Sequence, residues 1–225
     1  DRDILQDMSI RIESVNIGQP RCLDLGHRTV SSAIRKISVA GKIEITVDGL
    51  VGDDQGDKTN HGGIDQAVYL YSSEDYFWWS GQLNYVLPPA SFGENLTLSS
   101  FGKNPVRVGD RFRIGEVLLE ATGPRIPCSK LATTMGDPEF VVRFEKAARP
   151  GVYTRVLKPG FLQKGEIVEQ IFGSMDAPTV PEVMRLYGAK KPAPEELRQA
   201  LRAPLAVRTR TRLEHKLAII NQGTD

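Results

Sequence analysis

The sequence predicts a mainly β fold of the α+β class, in which a barrel-like β domain is followed by a small three-helix domain. From Ser9 to about Gln170, short segments of alternating apolar and polar residues recur between Gly, Pro, Asp and Asn, with only one or two helical patterns among them. Several short strands separated by turns are typical of a β-barrel or sandwich. After Ile171 the pattern becomes helical. We therefore expect a leader over 1–8, a β domain over 9–170 and a three-helix domain over 171–225.

The predicted strands follow one another along the β domain. The segments SIRIESVNIG, from Ser9, and KIEITVDGL, from Lys42, alternate as half-buried strands do. QAVYLYS, from Gln66, is another strand, and RFRI and EVLLEA predict a hairpin around Gly115. RPGVYTRVL and KPGFLQKGEIVEQI, from Arg149 onward, predict two more strands.

Five helices are predicted from their start and stop signals. In SSEDYFWWSGQL, Ser72 or Ser73 is the expected N-cap, ahead of two acidic residues in the first turn. DPEFVVRFEKAA is the second helix. The first helix of the tail has Thr179 as N-cap, Pro181 in the first turn and Gly188 as its stop. KPAPEELRQALRAP and VRTRTRLEHKLAII predict the last two helices.

Composition restricts the class of protein. Of 225 residues, 40% are hydrophobic and 25% charged, as in soluble globular proteins, and the net charge of +1 favours neither a nucleic acid nor a membrane as partner. Neither a membrane-spanning apolar run nor the layout of a signal peptide is recognisable. Two cysteines make no disulfide framework, so a cytoplasmic location is expected.

The tail carries a basic cluster. We expect it to be a solvated helix face, with a nucleic-acid or anion-binding patch as the alternative. Its members are Arg198, Arg202, Arg208, Arg210, Arg212 and Lys216.

The segment GPRIPCSKL sets Cys128 between Arg125 and Lys130. The thiolate is the reactive form of cysteine, and neighbouring positive charge favours it. The segment therefore suits a sulfur anion, a metal–thiolate bond or a thiol beside an anionic ligand. The alternative is a half-buried structural cysteine, because free cysteines are among the most buried residues.

A glycine-rich loop precedes the QAVYLYS strand and ends in HGGID. Because glycine permits positive φ and close approach of the backbone to a ligand, we expect a shaped loop. His61 and Asp65 flank two glycines at the entrance of the strand. A zinc site is not expected, because His61 has only carboxylates nearby, and the pair Cys22 and His27 has no second pair.

Two further positions are unusual for their surroundings. In FGENL, Gly93 and Asn95 stand at the entrance of a strand, where Asn commonly serves the backbone. Arg155 is an isolated cation in an apolar strand and needs either a partner or an outward position. The absence of GxSxG, P-loop, GxGxxG and HExxH patterns argues against a serine hydrolase, a P-loop NTPase, a Rossmann dehydrogenase and a zincin.

Taken in order, GLVGDDQGD, HGGIDQAVYLY, FGENL, VGDRFRIG and PRIPCSKL resemble the successive signatures of the MOSC domain. This domain occurs at the C-terminus of molybdenum-cofactor sulfurases and alone in many bacterial proteins. The resemblance covers about 9–170 and implies a mostly β, barrel-like fold. The helical tail, VNIGQPR and AIRK further resemble the bacterial subgroup linked to resistance against 6-hydroxylaminopurine. The mitochondrial amidoxime-reducing component is a more distant relative.

The resemblance implies a pyranopterin molybdenum cofactor (Mo-pyranopterin). Cys128 would be the thiolate ligand of molybdenum. Its charge partners would be Arg125, Lys130 and Arg155, which neutralise the negative charge of the cofactor. Asn95 and the backbone around Gly93 would bond the amide edges of the pterin.

The activity implied by the resemblance is the two-electron, two-proton reduction of hydroxylamines or amidoximes to amines or amidines. His61 and Asp65 would deliver protons on the substrate side. No flavin, haem or iron–sulfur motif is present, so a separate redox protein would donate the electrons, and a homodimer is an open option. The same resemblance carries an association with pyridoxal phosphate binding. The alternatives are a sulfur carrier with a persulfide on Cys128, and a non-catalytic module that binds a cofactor or nucleic acid.

Overall fold

The computed structural model describes residues 9–26, 28–54 and 63–222. The leader expected over 1–8, His27 and most of the glycine-rich loop, including His61, lie outside these residues.

The described residues form a mixed fold dominated by β structure. The strands are β1 Ile12–Ile17, β2 Arg21–Asp24, β3 Thr29–Ser32, β4 Ile37–Val39, β5 Ile43–Thr46, β6 Gly49–Leu50, β7 Val68–Ser72, β8 Leu96–Leu98, β9 Arg111–Ile114, β10 Val117–Gly123, β11 Val152–Lys158, β12 Gly160–Leu162 and β13 Val168–Ile171. The helices are α1 Ser73–Leu83, α2 Ser129–Met135, α3 Phe140–Ala147, α4 Val180–Gly188, α5 Pro194–Ala200 and α6 Val207–Gln222, with a 3₁₀ turn over Ile64–Gln66.

Eight of these strands form one sheet in the order β13-β9-β10-β11-β7-β8-β1-β4. Its neighbours are antiparallel except β7 and β8, which run parallel. A three-stranded sheet (β12-β5-β6) and the β2–β3 hairpin complete the β structure of the described residues. The predicted mainly β fold with a helical tail is therefore confirmed.

Three apolar clusters hold the fold together. One fills the space inside the sheets and includes the fully buried Ile45, Leu70 and Phe112. A second, largely aromatic cluster joins the sheet to α1 and α3 through Trp79 and Phe144. The third lies among the C-terminal helices. Because burial of apolar surface is the main favourable term in folding, these clusters carry most of the stability.

The predicted elements correspond to observed ones, with local differences. KPGFLQKGEIVEQI, predicted as one strand, contains both β12 and β13. The β2–β3 hairpin, β4 and helix α2, which begins directly after Cys128, were not predicted. The five predicted helices correspond to α1, α3, α4, α5 and α6. None of the helices in the described part of the chain combines the length and apolar character that crossing a bilayer requires.

Candidate functional site

A cavity of about 140 Å³ is lined by Tyr153, Tyr69 and Asn95, which are neighbours in a row of residues that crosses the large sheet. Hydrogen bonding and register align the row from β10 to β4 as Gly123, Tyr153, Tyr69, Asn95, Asn16 and Ser38. Residues on or next to this row line the cavity. Five predicted site residues are among them: Gly93, Asn95, Arg125, Cys128 and Lys130.

Cys128 stands at the N-cap of α2, and its extended backbone (φ −145°) turns the chain into the helix. Its carbonyl oxygen accepts hydrogen bonds from the amides of Leu131, at 3.0 Å, and Ala132, at 3.2 Å. The side chain makes no capping hydrogen bond and is half-buried. The thiol therefore lines the cavity without a role in capping, whereas Cys22 is exposed and does not line the cavity.

Arg125 is the buried cation of the cavity, with 8% of its surface exposed. Its guanidinium lies over the ring of Tyr69 at 5.4 Å, and its Nε has no hydrogen-bond partner among the described residues. A buried donor without a partner costs free energy, so this group is poised for an acceptor that enters the cavity.

Tyr153 lies where charged groups converge. Burial raises the pKa of its phenol above the usual value, while the cations of Arg125 and Arg208 act in the opposite direction. The charge of Cys128 acts in the same direction as burial and also raises the pKa of this phenol. Tyr153 therefore keeps its proton at neutral pH and can donate a hydrogen bond to a ligand atom near the thiol.

Gly93 brings the FGENL turn close to the cavity wall. Its φ of +73° is left-handed, and a Cβ there would lie 3.0 Å from Cγ1 of Ile34 and 3.1 Å from its carbonyl oxygen. Glycine is therefore required for both the conformation and the space. The same Cβ would be 3.6 Å from a terminal nitrogen of Arg125, an ordinary contact distance, so the guanidinium lies beside this turn.

The side chain of Asn95 is engaged within the protein. Its Nδ2 donates to Oδ2 of Asp53 at 2.8 Å, and its Oδ1 accepts from the amide of Tyr69 at 3.1 Å. The predicted bonding of Asn95 to a pterin edge therefore competes with existing partners. In this structure Asn95 fixes the carboxylate of Asp53 instead.

Lys36 was not predicted as a site residue, yet it lines the cavity beside Asp53. The two form a buried ion pair, with 7% and 5% of their side chains exposed. Burial lowers the pKa of Lys36 from its ordinary value, and the carboxylate of Asp53 works against that change. Oδ1 of Asp53 also accepts from the amide of Gly18 at 2.6 Å, which fixes the pair on the end of β1.

The C-terminal helices contribute a wall of the cavity. It is lined by Tyr187 at the end of α4 and by Arg208 and Thr209 in the first turn of α6. Of the basic cluster, Arg208 is the member that lines the cavity. From the sequence, the cluster was recognisable only by its shared positive charge, and its member at the cavity was not.

Asp65 and Arg155 do not line the cavity, and the structure gives them different contacts from those predicted. Their side chains form an ion pair at 3.0 Å. Arg155 also contacts Glu120 at 3.5 Å and donates to the carbonyl oxygen of Pro204 at 3.1 Å. Both side chains therefore have partners within the protein, and the roles of Asp65 in proton delivery and of Arg155 in binding the cofactor stay predictions. His61 lies outside the described residues.

Comparison with known proteins relates the chain to one family. Residues 57–169 match the model of the MOSC domain. The chain is 35% identical to the uncharacterized protein YflK of Bacillus subtilis over 69% of its own length and 71% of that protein. It is 37% identical to protein YiiM of Escherichia coli over 57% and 59% of the two chains. A protein of Gibberella moniliformis named "Reductase" is 29% identical over 78% of this chain, which spans only 32% of that protein.

The fold has a counterpart among solved structures. The crystal structure of YiiM from Geobacillus stearothermophilus superposes with a TM-score of 0.75 and 25% sequence identity. The match covers 92% of this chain and 99% of that one, so it includes the C-terminal helices as well as the β domain.

Proposed function

This chain belongs to the MOSC domain family, and on that premise we propose that it is a molybdenum-cofactor-dependent reductase of N-hydroxylated compounds. Its substrates would be hydroxylamines, such as 6-hydroxylaminopurine, or amidoximes. Each turnover takes two electrons and two protons, breaks the N–O bond, and gives an amine or amidine and water.

The observation that carries this proposal is a half-buried thiol in a cavity surrounded by cations. Cys128 shares the cavity with Arg125, Lys130, Lys36 and Arg208. Of these, Lys36 is paired with Asp53, while Nε of Arg125 has no partner among the described residues. Thiolate is a soft metal ligand, and guanidinium and ammonium groups bind phosphate. The residues present therefore fit a pyranopterin cofactor with a phosphate group.

The metal ligands available in the chain also suit such a cofactor. Within the described ranges, no group of three or more His, Cys, Asp or Glu side chains could hold a metal ion by itself. In this proposal the organic cofactor would supply further ligands to a metal bound to Cys128. When bound, the cofactor would supply the two-electron redox chemistry at molybdenum.

The residues of the chain would bind, orient and supply protons. Sγ of Cys128 would be the protein ligand, and Arg125 and Lys130 would bind the phosphate. Tyr153 would hold a proton at Oη and orient the substrate oxygen by a hydrogen bond. His61 keeps its expected role in proton delivery on the substrate side.

The electrons would come from a separate redox protein, because the chain has no flavin, haem or iron–sulfur motif. The fungal relative named "Reductase" supports redox chemistry as the reaction class. This chain matches only about a third of that protein, so its whole activity is not transferred.

The test is metal analysis of protein produced in cells with an active molybdenum-cofactor pathway. We expect close to one molybdenum per chain in the wild type and in Cys22→Ala, the matched control on the exposed cysteine. Cys128→Ala should retain little metal, because the thiolate bond is lost. Wild-type protein with molybdenum should then reduce a hydroxylamine when supplied with a chemical reductant.

Two results would overturn the proposal. If neither the wild type nor the variants bind molybdenum, the reductase assignment fails. If Cys128 then carries sulfur that a thiol reductant removes, the persulfide carrier is the better assignment.

A further inference from the structure

The segment of the tail that directly precedes α6 is held against the β domain by a small network of hydrogen bonds and ion pairs. The amide of Ala206 donates to the carbonyl oxygen of Thr122 on β10 at 3.0 Å. Arg155 on β11 donates to the carbonyl oxygen of Pro204 at 3.1 Å and contacts that of Leu205 at 3.5 Å. The start of α6 is therefore held by groups on two central strands of the sheet.

Asp65 occupies the centre of this network. Its Oδ1 pairs with Arg155 at 3.0 Å, and its Oδ2 accepts from the amide of Val207, the first residue of α6, at 2.9 Å. Its backbone oxygen accepts from Oγ1 of Thr122 at 2.6 Å. The amides of a first helical turn lack partners within the helix, and a carboxylate there also suits the helix dipole. Asp65 thus completes a helix that begins 142 residues later in the chain.

The next two residues of α6 form part of the cavity wall. Thr209 is buried, and the exposed Arg208 lines the cavity, where its charge acts on the phenol of Tyr153. Within the described part of the chain, Arg208 forms no ion pair with a carboxylate. Arg125, which also lines the cavity and has 8% of its surface exposed, has an Nε without a partner among those same residues. Both cations act on the same phenol.

From these contacts we propose that the C-terminal helices complete an anion site in the cavity. Arg208 is the contact for a phosphate monoester dianion, and Asp65 and Arg155 are the positioning residues that hold it there. Arg208 and Arg125 would bind the phosphate oxygens with their guanidinium forks. The inference rests on the proposed function only in taking this cavity as the binding site. The dianion belongs either to the bound cofactor or to a phosphorylated substrate.

The first test uses metal-free, full-length protein and inorganic phosphate as the probe, with calorimetry as the readout. We expect Arg208→Ala to weaken binding about tenfold, which corresponds to about 1.4 kcal/mol. Asp65→Ala should weaken it to a similar extent, and the double variant no further, because Asp65 acts through Arg208. Arg202→Ala removes a cation of the basic cluster that does not line the cavity, and binding should be unchanged.

A second readout separates positioning from general stability. Hydrogen exchange at the amides of residues 207–209 should rise in Asp65→Ala and stay unchanged in Arg208→Ala. Asp65→Asn is the substitute if the alanine variant does not fold. It keeps an acceptor for Val207 and weakens only the pairing with Arg155, so it should give an intermediate loss of phosphate affinity. If Asp65→Ala weakens phosphate binding equally in the wild type and in Arg208→Ala, then Asp65 does not act by positioning Arg208. Unchanged phosphate binding in Arg208→Ala, or no phosphate binding by the wild type, would overturn the anion site.

The source of the dianion is decided in a separate arm. In protein produced with the cofactor pathway, Arg208→Ala should lose pterin and molybdenum together if the phosphate belongs to the cofactor. If both are retained while inorganic phosphate binds less tightly, the dianion belongs to the substrate. Because the calorimetry needs no molybdenum, failure of the reductase proposal and failure of this one remain distinguishable.

Discussion

At the scale of single residues, a buried carboxyl group lies in the turn beside the site. Glu94, in the FGENL turn, is fully buried, and its Oε1 accepts hydrogen bonds from the hydroxyls of Tyr76, at 2.7 Å, and Thr97, at 2.9 Å. Its Oε2 has no partner among the described residues. Burial raises the pKa of Glu94 above its ordinary value, and the hydrogen bonds from Tyr76 and Thr97 oppose that rise. The turn that carries Gly93 and Asn95 therefore holds a carboxyl group whose pKa is higher than that of an exposed glutamate.

This carboxyl should make stability depend on pH. A carboxyl whose pKa is higher in the folded state binds more protons there, so the free energy of unfolding falls as pH rises above the unfolded value of about 4.3 and through the folded pKa. Glu94→Gln should remove this slope, because the amide does not titrate and its oxygen can keep the same donors. The measurement is urea unfolding at several pH values from 4.5 to 8. Glu169→Gln, on the exposed side of β13, is the control, and equal slopes in wild type and Glu94→Gln would contradict the prediction.

At the scale of secondary-structure elements, helix starts set the geometry of the site. Ser72 caps α1 by accepting from the amide of Asp75 at 3.1 Å, as predicted. Thr179 forms a capping box with Glu182 at the start of α4. In contrast, α6 uses the carboxylate of Asp65, which is remote in sequence. Local caps were therefore predictable, whereas the cap that places Arg208 was not.

The capping box of α4 gives a prediction at this scale. Thr179→Ala removes the acceptor for the amide of Glu182, and an N-cap replaced by alanine typically costs about 1 kcal/mol. Thr179→Ser keeps the hydroxyl and should retain most of the free energy of unfolding. Chemical denaturation measures both variants. If alanine and serine behave alike, the cap does not contribute.

At the scale of the whole molecule, the β domain and the helical tail share packing and ion pairs. Val180 of α4 is part of the core cluster of the sheets, with 1% of its surface exposed. Arg155 connects Glu120 and Asp65 on the β side to the chain that enters α6. One member of the basic cluster also has contacts within the tail, because Arg210 donates hydrogen bonds to the carbonyl oxygens of Leu201 and Ala203.

This coupling predicts a single cooperative unfolding transition. Both tryptophans lie in α1, so their fluorescence reports on the β domain, while far-ultraviolet circular dichroism is sensitive to the helices. The two probes should give one midpoint on heating, as expected for two-state unfolding. Two separated midpoints would mean that the tail unfolds independently.

The ion pair of Arg155 should matter more than an exposed pair of the tail. Arg155→Ala leaves Asp65 without its cation and Glu120 with Arg111 alone, and it should lower the free energy of unfolding by about 1–3 kcal/mol. The matched control is Arg185→Ala, which breaks the exposed pair with Glu196 and should cost less than about 1 kcal/mol. Urea unfolding compares the two variants. Equal costs would show that the Arg155 network does not fasten the tail.

Much of this protein follows from its sequence. Alternation of apolar residues and turn residues predicted the main strands, because strand side chains point to opposite faces in turn. Capping residues predicted the starts of α1 and α4. The motifs that resemble the MOSC domain brought Arg125, Cys128 and Lys130 to attention, and the fold places all three at one cavity.

Only the tertiary structure decided which charged residues meet. Lys36 belongs to the AIRK motif and Arg208 to the basic cluster, but neither was predicted as a residue of this site, and the fold brings both to the cavity. Asp65, in the 3₁₀ turn, and Arg155, on β11, were expected at the site, and both contact the chain entering α6. Local pattern determines how a segment folds, whereas the partner of a charge is set by long-range packing between segments far apart in the chain.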